Sequence, residues 1–161
     1  MSCLSRDGKK MAVPVRSAQS MDAPSARYTG LKQEKLQLKK GGIRLKGYIP
    51  LPCDMIFERD VPVKLRDGVT VYLDVFRPAD DETHPAILAL SPYGKELGSQ
   101  GLDDTPGHAG VPMEATSGLQ KFEGPDPAYW CNHGYAIINA DVRGAYNSEG
   151  IILFFLAAIA P

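Results

Sequence analysis

Tyr135-Ala136-Ile137-Ile138-Asn139-Ala140-Asp141-Val142-Arg143-Gly144-Ala145-Tyr146-Asn147-Ser148-Glu149-Gly150 reads as a short apolar strand that runs out into a polar loop rich in Gly and Asn. Loops after strand ends are where α/β proteins place their chemistry. Just upstream, Asp126 is suited to cap a helix with Pro127 at its first position, and Gly134 to stop it. On that helix Tyr129, Trp130 and His133 fall near one another, and Cys131 is expected against the sheet as a small buried hydrophobe. Further out, Pro85-Ala86-Ile87-Leu88-Ala89-Leu90 is an unbroken apolar run, the pattern of a parallel strand buried on both faces. The long stretch from Gly94 to Gly124, rich in Gly, Asp, Ser and Pro, predicts a functional loop or short helical turns.

Met55 to Leu65 alternates apolar and charged residues (Ile56, Glu58, Asp60), Arg66-Asp67-Gly68 supplies turn chemistry, and Val69 to Phe76 is again strand-like. The pattern predicts a hairpin whose register the turn fixes, ending at Arg77-Pro78 because proline has no ladder donor. Leu31 to Lys40 predicts a short amphipathic helix stopped by Gly41-Gly42, marginal without a docking surface. Met1 to Gly30 has no sustained periodicity and is expected to be disordered. An antiparallel hairpin leading into two inner strands joined by a loop and a helix predicts an α/β fold.

Three motifs follow in order: Leu65-Arg66-Asp67-Gly68-Val69, then Ser91-Pro92-Tyr93-Gly94-Lys95, then DVRGAYNSEG (Asp141 to Gly150) after His133-Gly134-Tyr135. In this order they resemble the CocE/NonD hydrolases, relatives of cocaine esterase and X-prolyl dipeptidyl aminopeptidases. There a strand, RDG, a strand, PYGK or PYDK, a helix ending HGY or RGY, and DxRGxxxSEG succeed one another. The resemblance spans Met55 to Gly150. RDG alone is an ordinary turn, PYGK is more specific, and DVRGAYNSEG after HGYAII carries most of the weight.

The resemblance implies the N-terminal part of an α/β-hydrolase fold, a hairpin leading into a mostly parallel sheet, truncated after its first four strands. It also implies ester or amide and peptide-bond hydrolysis through a Ser-His-Asp triad and an acyl-enzyme, on small-molecule or peptide substrates, with no metal or organic cofactor. Tyr93 matches the family tyrosine whose hydroxyl donates to the tetrahedral intermediate, so it is the candidate catalytic residue, an oxyanion-hole donor. A donor so placed is worth about 3 kcal/mol in the transition state. Asp141 and Arg143 hold the DxRG positions and are expected to tie the loop after the fourth strand to its neighbours.

The triad itself is not expected in these residues. Tyr146-Asn147-Ser148-Glu149-Gly150 approximates G-x-S-x-G, but Tyr stands where the elbow needs Gly for close backbone approach and no capped helix follows. His84 precedes a proline in a loop, His108 lies in the long segment, and His133 ends a helix, so none matches the family base or builds a metal-ligand cluster. No G-x-G-x-x-G or P-loop follows either inner strand.

The 161 residues, 43% apolar and 23% charged, fit an ordinary globular protein. The net charge of −1 conceals an asymmetry: Met1 to Gly47 holds eleven Lys and Arg against three Asp and Glu, and the remainder is correspondingly acidic. Residues 1–47 are therefore read as a basic, disordered leader, 48–150 as a partial hydrolase domain, and 151–161 as an apolar tail foreign to the family. A basic leader can attract nucleic acid, an acidic membrane surface or an import receptor, but a solvated, poorly ordered tail is the favoured reading because aromatic residues are nearly absent there, and no nucleic-acid partner is expected. The first thirty residues lack a secretory signal's apolar core and carry Asp7 and Asp22. Together with three widely spaced cysteines, Cys3, Cys53 and Cys131, this points to the cytoplasm and free thiols.

The tail, Ile151-Ile152-Leu153-Phe154-Phe155-Leu156-Ala157-Ala158-Ile159-Ala160-Pro161, is shorter than the roughly twenty residues that span a bilayer. It suggests a truncated product of a frameshift, premature stop or retained intron. Two functions follow: a hydrolase fragment inactive alone for want of its triad, or a non-enzymatic chain that self-associates through an exposed sheet edge and its apolar tail.

Overall fold

The computed structural model describes residues 2–4, 10–12, 28, 30–91, 94–95, 105–121 and 123–151. Two short strands, β1 (Ser2–Leu4) and β2 (Lys10–Ala12), pair antiparallel as a separate two-stranded sheet. The main sheet comprises β3 (Glu34–Leu38), β4 (Met55–Lys64), β5 (Thr70–Pro78), β6 (Ala86–Ser91) and β7 (Ala136–Asp141). Its order is β3-β4-β5-β7-β6; β6 and β7 run parallel, and every other neighbouring pair is antiparallel. The result is a mixed five-stranded sheet with few helices.

The β4–β5 hairpin forms where the Arg66-Asp67-Gly68 turn requires it. Leu65 N donates to Val69 O (2.8 Å), Gly68 N donates to Leu65 O (3.0 Å), and Gly68 takes a φ of 89° that only glycine adopts freely. The alternation in β4 breaks at Glu58-Arg59-Asp60, where the register shifts before Val61 and Asp60 adopts a φ of 53°. This bulge turns Asp60 into the protein, where it is 1% exposed.

A parallel pair needs a long crossover, and the segment between β6 and β7 supplies it. It contains two 3₁₀ turns, Pro106–Gly110 and Met113–Ala115, and a one-turn helix α1 (Pro127–Cys131). The Asp126 carboxylate caps α1 by accepting from Ala128 N (3.0 Å) and also holds Ser117 through its N–H (2.7 Å) and Oγ (2.5 Å). α1 closes the apolar core, in which Met55, Phe76, Ala128, Cys131 and Ile137 are buried and Phe57 stacks on Phe76 at 4.4 Å. Burial pushes the Cys131 thiol up to about 12, which fits a packing role.

Two expectations are corrected. Residues 31–40 do not form a helix: Glu34–Leu38 is a strand on the outer edge of β4, so the sheet begins inside the segment read as a disordered leader. An isolated ten-residue helix has too few turns to offset its nucleation, whereas the β4 edge offers a backbone ladder. Directly opposed charges support that ladder, Lys35 on Glu58 (3.1 Å) and Glu34 on Arg59 (3.7 Å). Nor is β6 buried on both faces. Among the described residues only β7 pairs with it, and Leu88 and Leu90 are each 61% exposed.

Phe76→Ala is expected to lower stability by about 3–5 kcal/mol, and Leu88→Ser to change it by less than about 0.5 kcal/mol. Urea midpoints of the two variants check both, and a large loss for Leu88→Ser would show that the outer face of β6 is covered in solution.

Candidate functional site

The carboxyl ends of the parallel strands β6 and β7 lie side by side, with Ser91 opposite Asp141. Loops leaving such adjoining strand ends are the expected place for chemistry in an α/β sheet. The loop after β6 carries the Pro92-Tyr93-Gly94-Lys95 motif, and the loop after β7 carries Val142 to Gly150. Tyr93, the sequence-based candidate donor, lies outside the described residues. Its flanks do not.

Asp141 at the end of β7 accepts a hydrogen bond from Lys95 N (2.7 Å), joining the two loops at their roots. Next to it, Gly94 takes a φ of 95° and packs so closely that an added Cβ would lie 2.4 Å from the Tyr146 ring. The glycine is thus required twice, for its backbone conformation and for the approach of one loop to the other.

The Lys95 side chain turns inward and is 2% exposed. Its ammonium meets Asp60 Oδ1 (2.5 Å) and Asp74 Oδ1 (3.1 Å), and Asp60 N donates to Asp74 Oδ1 (3.0 Å). Asp60 Oδ2 accepts from Lys32 N (2.7 Å). Burial alone would depress the Lys95 ammonium, but Asp74, the Asp60 hydrogen bond and Asp141 together raise it above its ordinary value. Burial raises Asp74 more than Lys95 and the Asp60 N–H lower it. Two carboxylates thus share one buried ammonium, which stays charged.

A second buried lysine, Lys121, donates from Nζ to Ala89 O (2.8 Å) on β6. Burial lowers it to about 8 against the pull of Asp141 and Asp74. Asn139 of β7, opposite Asp74 of β5 in the ladder, is fully buried, and its side-chain amide has no hydrogen-bond partner among the described residues. Composition and motif spacing revealed none of this polar seam. Its signals were the three consecutive charges of Glu58-Arg59-Asp60, which interrupt an alternating strand, and Asp74 inside the apolar run of β5.

The DVRGAYNSEG loop uses its polar groups structurally. Arg143 forms a two-pronged ion pair with Asp67 of the hairpin turn (2.6 and 3.2 Å), which holds the Asp67 carboxyl below its ordinary value. Ser148 Oγ accepts from Tyr72 N (3.1 Å) and is oriented toward Asp141 O (3.5 Å), and Glu149 pairs with Thr70 through both backbone and carboxylate. Asn147 reaches Tyr28, which also packs on Tyr146. Ser148 is buried against β5, with no base beside it among the described residues, as a loop anchor.

The histidines are dispersed. His108 contacts Val111 O (2.6 Å) and the Tyr48 hydroxyl (3.3 Å), and His133 contacts Tyr129 O (2.8 Å). His84 sits at the opposite end of the β6–β7 pair, beside a surface cleft lined by Cys53, Asp54, Glu82 and Cys131. Its Nε2 faces Asp80 Oδ1 (2.6 Å) and its Nδ1 faces Gly134 O (3.0 Å). Both partners are acceptors, so the ring donates twice and the imidazolium is favoured. The Asp80 hydrogen bond accordingly raises His84 and the same bond lowers Asp80.

Two outcomes are expected. Ser148→Ala leaves the Tyr72 N–H without its acceptor and lowers stability by about 1–3 kcal/mol in chemical denaturation. The His84–Asp80 pair contributes most between the ordinary values of 3.8 and 6.5. Its contribution fades as pH rises through the elevated His84 value, and again as pH falls through the depressed Asp80 value. Thermal midpoints of wild type and His84→Phe across pH check this: their difference should be largest near pH 5 to 6, and a constant difference would refute it.

The family model for X-Pro dipeptidyl-peptidase (S15 family) matches residues 67–157, from the hairpin turn through the DVRGAYNSEG loop and beyond. Two crystal structures of a CocE/NonD family hydrolase from Staphylococcus aureus are similar at 27% identity over 76% of this chain, with TM-scores of 0.56 and 0.55. Among curated proteins, the L-tyrosine:2-oxoglutarate aminotransferase ucdG of Aspergillus ustus is 55% identical over 53 residues, 33% of this chain. The chain spans 20% and 21% of the solved hydrolase chains and 10% of the aminotransferase. With its family match covering more than half of its residues, the chain belongs to the X-Pro dipeptidyl-peptidase (S15) family of CocE/NonD-type hydrolases.

Proposed function

We propose that these residues build the opening strands and the oxyanion-side loop of a serine hydrolase domain that cleaves ester, amide or peptide bonds, and that the 161-residue chain does not turn over substrate alone. Tyr93 is the oxyanion donor in this reading, offering its hydroxyl to the tetrahedral intermediate. The observation that supports it is the 2.7 Å hydrogen bond from Lys95 N to Asp141, which ties Lys95, the last residue of the PYGK motif, to the end of the adjoining strand. The expectation of inactivity is supported by Ser148, whose hydroxyl already serves the backbone of β5 and beside which no base stands among the described residues.

A fluorophosphonate probe tests this on the purified chain. No active-site labelling above a heat-denatured control is expected, and specific labelling of a serine would overturn the reading.

The second reading, a non-enzymatic chain that associates with copies of itself, is favoured by one feature: the exposed Leu88 and Leu90 on a strand with an unpaired outer edge among the described residues. Size-exclusion chromatography with light scattering separates the two. A discrete oligomer lost in a Leu88→Lys, Leu90→Lys double variant supports association, and a monomer excludes it.

A further inference from the structure

The segment between β3 and β4 closes on itself. Gly41 N donates to Leu51 O (2.8 Å) and Leu51 N to Gly42 O (2.9 Å), so residues 42–51 leave the fold and rejoin it at one place. The loop is also pinned along its second half. Tyr48 is 5% exposed and lies so near Gly118 that an added Cβ there would come within 2.8 Å of its ring. Ile49 N donates to Thr116 O (3.0 Å), Gly47 backs onto the Met113 side chain, and Leu51 enters the apolar core.

The first half of the same loop does the opposite with its apolar residues. Ile43 is 57% exposed and Leu45 51%, on either side of Arg44. A single exposed leucine is ordinary, but these two stand among cations: Lys39 to Cys53 holds four Lys and Arg and no acid. Lys39 pairs with Asp54 (3.0 Å) and Arg44 lies over the Tyr48 ring (5.7 Å), whereas the ammonium groups of Lys40 and Lys46 have no carboxylate partner among the described residues. Aliphatic side chains held in water between cations are complementary to a surface that is negative outside and apolar beneath, which is an anionic lipid headgroup layer. We propose that the 42–51 loop docks the chain on anionic lipid, with Ile43 and Leu45 entering the headgroup and acyl boundary and Lys40, Arg44 and Lys46 meeting the headgroup charge. The contact is peripheral, since no helix among the described residues is long and apolar enough to cross a membrane. A nucleic acid suits the loop less well: strand binding uses exposed aromatic rings for stacking, and Tyr48, the one aromatic residue from Lys39 to Cys53, is buried. The proposal is independent of the hydrolase reading.

Vesicle co-sedimentation of the full 161-residue chain tests it, using phosphatidylcholine with about 25% phosphatidylserine against phosphatidylcholine alone. Retention should be at least about tenfold stronger on the anionic vesicles and should fall as salt is added. An Ile43→Ser, Leu45→Ser double variant and a Lys40→Glu, Lys46→Glu double variant should each weaken retention about tenfold or more. Both should keep the wild-type urea midpoint, because all four side chains are exposed. A Leu45→Trp variant reads the same contact directly. Its emission, taken as the difference from a wild type whose sole tryptophan is Trp130, should shift to the blue on anionic vesicles only. Equal retention on the two vesicle types would overturn the proposal, as would retention that the Ile43→Ser, Leu45→Ser variant leaves unchanged or a Leu45→Trp emission that does not shift. Binding to a single-stranded oligonucleotide without binding to vesicles would overturn it in favour of a nucleic-acid partner.

Discussion

The buried ion cluster of Lys95 with Asp60 and Asp74 is the constraint around which the described fold is arranged. Two carboxyl groups and an ammonium are buried together, and the ammonium offsets the cost of taking the acids out of water. Removing one partner from such a cluster typically costs about 3–5 kcal/mol, a large share of a domain's net stability. The contacts also tie Lys95, after β6, to the bulge of β4 and the middle of β5. Asp141 extends the connection to β7, and Ser148 and Glu149 return it to the start of β5.

The family motifs acquire physical roles from this arrangement. RDG supplies the hairpin turn and, through Asp67, the partner for Arg143 of DVRG. PYGK supplies the glycine that lets its loop approach Tyr146 and the lysine that anchors it. The serine and glutamate of SEG cap the free backbone of β5 beyond the end of β7. Each motif thus completes a contact begun by another, which explains why their order is more informative than any one alone. The surface cleft near His84 stands at the opposite end of the parallel strands and takes no part in this arrangement.

Much of the fold was legible in the residues because its causes are local. The hairpin follows from alternation around Arg66-Asp67-Gly68, and the short helix from Asp126, Pro127 and Gly134, all of which act where they stand. What was not legible depends on distant partners. Strand β3 forms where Glu58 and Arg59 of another strand meet its charges, so five of the ten residues with a helical pattern pair as an edge strand instead. The outer face of β6 carries leucines that read as core, yet nothing in the run Ala86 to Leu90 states which face a neighbour will cover. At the candidate site, the place of Asp141 at the end of β7 was readable from motif resemblance. The polar seam beside it was not, because Asp60 and Asp74 look like ordinary surface residues until the bulge turns one inward and the sheet covers the other.

The measurement closest to the central claim is nitrogen-detected NMR of the lysine side chains at neutral pH. A protonated, buried Lys95 should give a slowly exchanging ammonium signal with scalar or dipolar correlations to the Asp60 and Asp74 carboxyl carbons. An Lys95 ammonium that exchanges as fast as the surface lysines, with no such correlations, would contradict the account.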